Sequence, residues 1–460
     1  MTKYIFLFLL VALVAVFIVD LSTVIMAGFI YFLGLAIIVL ANWMNSRKLT
    51  PIIKIYQVVF TAGFIYICIC YLYMSAHGYN FLLAQDIASY FLPVAESLLE
   101  HGSISRAEVE NWKGYSFFSR YHYGYFGYLI PFGYLSSYLG ANFYVSMQFS
   151  TLLVASLSSV IIFKLLTVNQ IDHKRAYKYT LVICLFSVIF FYSTQLLRDI
   201  HIMFLYLLGI YLTFKTDFSI SNLIKIFLII LTSCTLRIET GIYLFYLVPL
   251  YLLLTIKYSK NRIIPVLISF VVATGGIIFS GIYFNEFLRV FTQNNEIYLE
   301  SDKGSGVVGS LQNIPLVGKF LSVAYNAIQP LPFWSKYTAT IKDNRPEIFN
   351  LMTFPLSFAT LLNFIVLFFI LVFLFHSKTR ARVSQHIPKP LVYHLYFGFI
   401  FLYLQSAVID QRRLMAFYVI FYIFFYIIYT NITISDRKKL MLIAVSSYTV
   451  LQAFALFYKI

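Results

Sequence analysis

Residues 352–375 read MTFPLSFATLLNFIVLFFILVFLF, and SKTRAR follows at 377–382. An α-helix needs about 20 apolar residues to cross the ~30 Å hydrocarbon core of a bilayer, and this run carries no charge at all. Backbone in lipid has no water to bond with, so such a run predicts a transmembrane helix, here with a basic flank. The rest of the chain repeats the pattern. Of 460 residues, 61% are hydrophobic, 19% aromatic and only 11% charged, against roughly 25% charged in a soluble domain. Lipid is therefore the expected solvent for most of the molecule.

Working outward from that run, further apolar stretches lie near 4–20, 22–42, 52–74, 143–166, 179–197, 200–214, 222–236, 240–256, 263–284, 391–408, 414–430 and 440–457. The fold class this predicts is an all-α polytopic membrane protein with about thirteen spans, twelve to fourteen at the limits. Lys3 precedes the first run, but no small-residue cleavage site follows it and a second apolar run comes at once, so it reads as a span rather than a leader. The net charge of +16 falls mainly in short connections such as HKRAYK at 173–178, KYSKNR at 257–262 and SKTRAR. That distribution predicts topology by the positive-inside rule, not a nucleic-acid groove, and makes this face and the amino terminus cytoplasmic.

The opposite face then receives two long segments, 76–142 and 285–350. Within the first, GYFGYLIPFGYLSSYLG at 124–140 is too short for a span and reads as a re-entrant or interfacial segment. Residues 86–101 have amphipathic spacing, with Pro93 limiting their helix. No internal repeat and no soluble portion able to hold its own core is present, so residues 1–460 read as one transmembrane domain. Cys68, Cys70, Cys184 and Cys234 lie in apolar runs without ligand-like spacing, which predicts neither a disulfide framework nor a metal site. No phosphate-binding GxxxxGK[ST] run occurs.

Three tight outer turns each set arginine beside a carboxylate: Arg198 with Asp199 and His201, Arg237 with Glu239, and Arg412 and Arg413 with Asp410. Ionisable groups near membrane depth cost up to about 2.5–3.5 kcal/mol at a helix centre, so their recurrence asks for a reason. One reading is local ion pairing, Arg237 with Glu239 and Arg412 with Asp410. The other is an anion site, since guanidinium forks suit phosphate. An anion met at that depth is the phosphate or pyrophosphate of a lipid-linked sugar, entering sideways from the bilayer.

Two further features bear on chemistry. Asp86, in LAQDIASY, is a candidate to orient or deprotonate an acceptor hydroxyl, or is simply a helix cap. Between Tyr115 and Tyr138 the chain is dense in Tyr and Phe around Arg120 and His122; such rings stack on sugars, and equally form interfacial belts. The second outer segment, with NAIQPLPFWSKY at 326–337, is long enough to act as a lid.

Together these features resemble bacterial membrane glycosyltransferases of surface-polysaccharide assembly, in particular Wzy-type (EpsG-like) repeat-unit polymerases. The residues carrying the resemblance are Asp86 with Tyr90 in the first outer segment, Arg198 opening a later span in QLLRDIHIMFLYLLGIYL, the large late outer loop, and Arg237, Arg412 and Arg413. It implies an enzyme of O-antigen, lipopolysaccharide or capsule assembly that joins oligosaccharide units carried on undecaprenyl pyrophosphate, in the cytoplasmic (inner) membrane. Asp86, Arg198, Arg237 and Arg412 would be its catalytic residues. Arg413, His201, Glu239, Asp410, Tyr90, Arg120 and His122 would bind substrate. No cofactor, metal or nucleic acid is implied; the partners would be the lipid-linked oligosaccharide, membrane lipid and a chain-length regulator protein.

Asp86 and the apolar segment after it are also similar to GT-C glycosyltransferases that use polyprenyl-phosphate sugars. In that family, however, the Asp usually follows the first span and is often paired with a second acidic residue, whereas Gln85 and Ile87 flank Asp86. A lipid-linked oligosaccharide flippase or transporter is the alternative outside enzymology. It predicts broken helices with facing polar groups at depth.

Overall fold

The computed structural model describes residues 2–42, 49–76, 95, 96, 123–215, 218–256, 311, 314, 317–328, 354–404 and 411–459. Every regular element among them is helical, with no strand. The first group comprises α1 (Thr2–Ala15), α2 (Leu21–Ala41), α3 (Leu49–Ala76), α4 (Tyr123–Leu139) and α5 (Phe143–Val168). A second comprises α6 (His173–Phe186), α7 (Val188–Ser193), α8 (Asp199–Thr213), α9 (Ile220–Leu236), α10 (Ile238–Tyr243), a 3-10 turn at Leu244–Tyr246 and α11 (Leu247–Ile256). The remainder are α12 (Gly318–Ala327), α13 (Phe354–Phe375), α14 (Ser377–Ser384), α15 (Lys389–Leu404), α16 (Gln411–Asn431) and α17 (Ile434–Lys459).

Five of these contain stretches long and apolar enough to cross a membrane: Leu21–Ala41, Leu49–Leu72, Phe143–Val168, Pro355–Phe375 and Leu414–Asn431. The protein is membrane-embedded. Shorter apolar helices include Asp199–Thr213 and Ile220–Leu236, so the sequence count of about thirteen spans runs ahead of the helices that qualify by length. The span expected at 263–284 and the amphipathic helix expected at 86–101 lie outside the described residues, save for 95 and 96.

The pattern of apolar faces positions the helices. In α2, Leu21, Ile25, Phe29 and Phe32 recur at helical spacing and are exposed, while Met26, Ala27, Ile30, Tyr31 and Ile38 are buried. A helix apolar all round thus turns one side to lipid and one to protein. In α5 and α16 nearly every side chain is buried, so these two form the axis of the bundle, with α8 packed against both. Lipid tails are as apolar as leucine, so packing within a membrane relies on close approach and interhelical hydrogen bonds. A Cβ at Gly34 would collide with Tyr56 of α3 and one at Gly63 with Leu152 of α5. Tyr56 also donates to the Tyr31 carbonyl at 3.0 Å.

Helix ends follow their caps. Asp20 accepts from Thr23 N at 2.7 Å to start α2, and Asn142 accepts from Val145 N at 3.1 Å to start α5, as short polar N-caps do. Between α4 and α5 the chain reverses through Gly140 at φ +64°, with Ala141 N bonded back to the Ser136 carbonyl at 2.9 Å. This is a glycine-terminated helix end. The segment 124–140, read from sequence as re-entrant or interfacial, thus falls on α4, a helix lying antiparallel to the N-terminal half of α5: Ser136 Oγ is 3.1 Å from Ser146 Oγ and Tyr128 Oη donates to the Ser150 carbonyl at 2.7 Å.

Candidate functional site

A buried irregular segment lies between α7 and α8. Residues 194–198 (TQLLR) are not helical, yet Thr194, Gln195, Leu196 and Leu197 are all buried. Non-helical backbone at membrane depth is tolerated where protein groups satisfy it or where it lines a cavity. Here Gln148 of α5 donates through Nε2 to the Thr194 carbonyl at 2.7 Å, and Gln195 Nε2 is 3.3 Å from Thr194 Oγ1.

A second break meets it. Arg237 separates α9 from α10 in extended backbone, φ −158° and ψ 111°. Its Nη2 donates to Asp199 Oδ1 at 2.6 Å, and the side chains are 13% and 4% exposed. Arg198 donates through Nη1 to the Leu236 carbonyl at 3.1 Å, so it satisfies an acceptor that the end of α9 leaves without an intrahelical donor. Asp199 occupies the first turn of α8, where the helix dipole favours a carboxylate. Each break therefore supplies a group to the other, and two arginines and one aspartate close into a single buried cluster.

Glycines permit this closure. A Cβ at Gly241 of α10 would collide with Cys234 side chain and backbone, and one at Gly124 of α4 would collide with Thr235 Oγ1. Both elements press on the last turn of α9. His201, buried one turn into α8, has its ring edge-on to Tyr128 and Tyr125, with centroids 4.5 and 5.2 Å away. Two of the tyrosines in the aromatic segment therefore pack against the cluster.

Gln148 and Ser150, which bond the Thr194 carbonyl and Tyr128, lie five to seven residues inside α5, about 8–10 Å from its start at 1.5 Å per residue. With 15 and 17 residues, α8 and α9 extend about 22 and 26 Å, less than ~30 Å of hydrocarbon.

The sequence candidates distribute as follows. Arg198, Arg237 and His201 belong to the cluster. Asp199, which the sequence reading passed over as a site residue, is the carboxylate that pairs with Arg237; the local partner read from sequence was Glu239, whose side chain lies outside the described residues. Arg412 and Arg413 open α16, and their side chains also lie outside them. Their backbone is nonetheless level with the first turn of α8. Thr213 at the far end of α8 meets His394 of α15 at 2.7 Å, Phe399 and Phe401 of α15 meet Phe421 and Phe417, and Tyr206 meets Phe417 with centroids 4.5 Å apart, so α8 and α16 run parallel in that register. Asp86, Tyr90, Arg120, His122 and Asp410 lie outside the described residues.

A second buried polar group was not anticipated. His394 places Nε2 against Thr213 Oγ1 and Nδ1 3.1 Å from Tyr246 Oη, which is 3.3 Å from Tyr206 Oη. Since Thr213 donates to the Ile210 carbonyl at 2.7 Å, its oxygen is left to accept from imidazole Nε2–H. In the sequence His394 sits in YHLYFGF, indistinguishable from an interfacial histidine. Compared with family models, curated proteins and solved structures, the chain matches none.

Proposed function

We propose that this chain is a membrane glycosyltransferase of bacterial surface-polysaccharide assembly, which polymerises undecaprenyl-pyrophosphate-linked oligosaccharide units at the outer face of the cytoplasmic membrane. The observation carrying the proposal is the Arg198–Asp199–Arg237 cluster, buried where the ends of two short apolar helices meet, where a lipid-linked pyrophosphate arriving through the bilayer would present its charge. The sequence of the three turns carries four arginines and three carboxylates, and low local dielectric strengthens the pull of the arginines on an anion. Arg198, Arg237, Arg412 and Arg413 would hold the pyrophosphate as it becomes the leaving group. Asp86, with Tyr90, Arg120 and His122 from the same segment 76–142, would orient the attacking hydroxyl and accept its proton. The amino terminus would face the cytoplasm.

A second reading has an observation of its own. The breaks at Ser187, 194–198 and Arg237, with polar side chains facing one another at depth, are what a lipid-linked oligosaccharide flippase would use. One experiment separates the two. In a deletion strain the carrier should accumulate single repeat units exposed on the outer side of the membrane, and an Arg198→Glu variant should fail to restore the polymer ladder while inserting normally. Single units trapped on the cytoplasmic side would instead support the flippase, and a full ladder from the Arg198→Glu strain would remove the arginine cluster from either mechanism.

A further inference from the structure

On the other side of the axis helix α16 lies a cleft of about 350 Å³ between α12, α13, α15 and α16. Its walls are hydrocarbon and aromatic, with Phe364, Leu371 and Leu374 from α13, Phe399 from α15 and Phe421 from α16. Leu371 and Leu374 are 52% and 46% exposed, so the cleft opens sideways to the bilayer. One end is closed: α12 lies across it, Asn363 donates through Nδ2 to the Ala327 carbonyl at 2.8 Å, and Tyr422 Oη donates to Asn363 Oδ1 at 2.5 Å. The other end meets the basic helix α14. Arg380 donates through Nη1 to the Leu374 carbonyl at 2.9 Å, Lys378 is exposed on the same helix, and Arg382 is 3.8 Å from Asp436.

We propose that this cleft is a resident lipid site that takes one acyl chain of an anionic glycerophospholipid, with its phosphate held by Lys378 and Arg380. Length selects the ligand. From Leu374 to Asn363 is about 16 Å along the helix, which is half of a ~30 Å hydrocarbon core and so the reach of one leaflet's chain. Charge selects the headgroup, because basic pockets at the ends of membrane helices attract anionic lipids by about 1 kcal/mol per cation near the surface. The closed end stops a chain longer than a leaflet, which excludes a long polyprenyl tail. The proposal does not rest on the glycosyltransferase reading.

The test is lipid extraction from the intact protein purified in mild detergent, with mass-spectrometric comparison to the lipids of the source membrane. The wild type should carry phosphatidylglycerol-class lipid enriched several-fold over the membrane. Leu371→Trp, which places a ring in the open cleft, should lose that enrichment with its melting temperature unchanged. Lys378→Gln with Arg380→Gln, both on the exposed surface, should retain lipid but lose its several-fold anionic preference. A wild type with the membrane's own lipid ratio, an enrichment that survives both variants, or a polyprenyl phosphate in the lipid's place would each overturn the assignment.

Discussion

Asp199 and Arg237 are 38 residues apart in the chain and 2.6 Å apart in the fold. Breaking a buried pair strands the remaining charge, typically at about 3–5 kcal/mol. Asp199→Asn alone and Arg237→Gln alone should each lower the melting temperature in detergent markedly, and the double variant should lose much less than the sum. Additive losses would show that the two side chains do not sense each other. The need for charge compensation at Arg237 was legible in the sequence; its partner was not. Within RIET the nearest carboxylate is Glu239, whereas Asp199 is brought in only when α8 and α9 end at the same depth. The same limit applied to His394, whose neighbours Thr213 and Tyr246 come from two other elements.

At the level of elements, the hydrophobic runs were a sound guide to where helices lie: α2, α3, α5, α13 and α16 follow them closely. They located the breaks at Arg198 and Arg237 but not the one at Ser187, and residues 194–197, read as the end of the 179–197 run, leave the helix early, because serine and glutamine there have hydrogen-bond partners that only the tertiary structure supplies. The α9–α10 break depends on close approach, and its energetics can be measured. Gly241→Ala puts a methyl against Cys234 and should destabilise by about 1–3 kcal/mol, the usual range for overpacking. Gly127→Ala in α4, where a Cβ meets nothing within 4 Å, should be neutral or stabilise by up to ~1 kcal/mol through helix propensity. Thermal unfolding of the two variants in parallel checks this, and equal shifts would argue against the tight α9–α10 turn.

For the whole molecule, the bundle has two ends that differ in charge. The α4–α5 turn and the start of α8 lie toward one end, and α14 with its basic run toward the other. If the positive-inside rule sets the orientation, a membrane-impermeant maleimide should label Ser137→Cys in intact cells, and label Ser377→Cys only after permeabilisation. The reverse pattern would put the arginine cluster on the cytoplasmic face and remove the periplasmic polymerase reading. Membrane embedding followed from composition alone, while the described part of the site required the break before α8 and the break after α9 to be brought together.

The claim on which the functional account depends is that the clustered arginines recognise a lipid-linked pyrophosphate. The direct measurement is equilibrium binding of undecaprenyl pyrophosphate to the protein in lipid nanodiscs, for the wild type, Arg198→Lys and Arg198→Gln, each confirmed as folded by its melting temperature. The account predicts saturable binding by the wild type, weaker binding by Arg198→Lys because an ammonium lacks the planar fork, and a loss of about tenfold or more, ~1.4 kcal/mol, for Arg198→Gln. Equal affinity across all three proteins, or no saturable binding by the wild type, would contradict it.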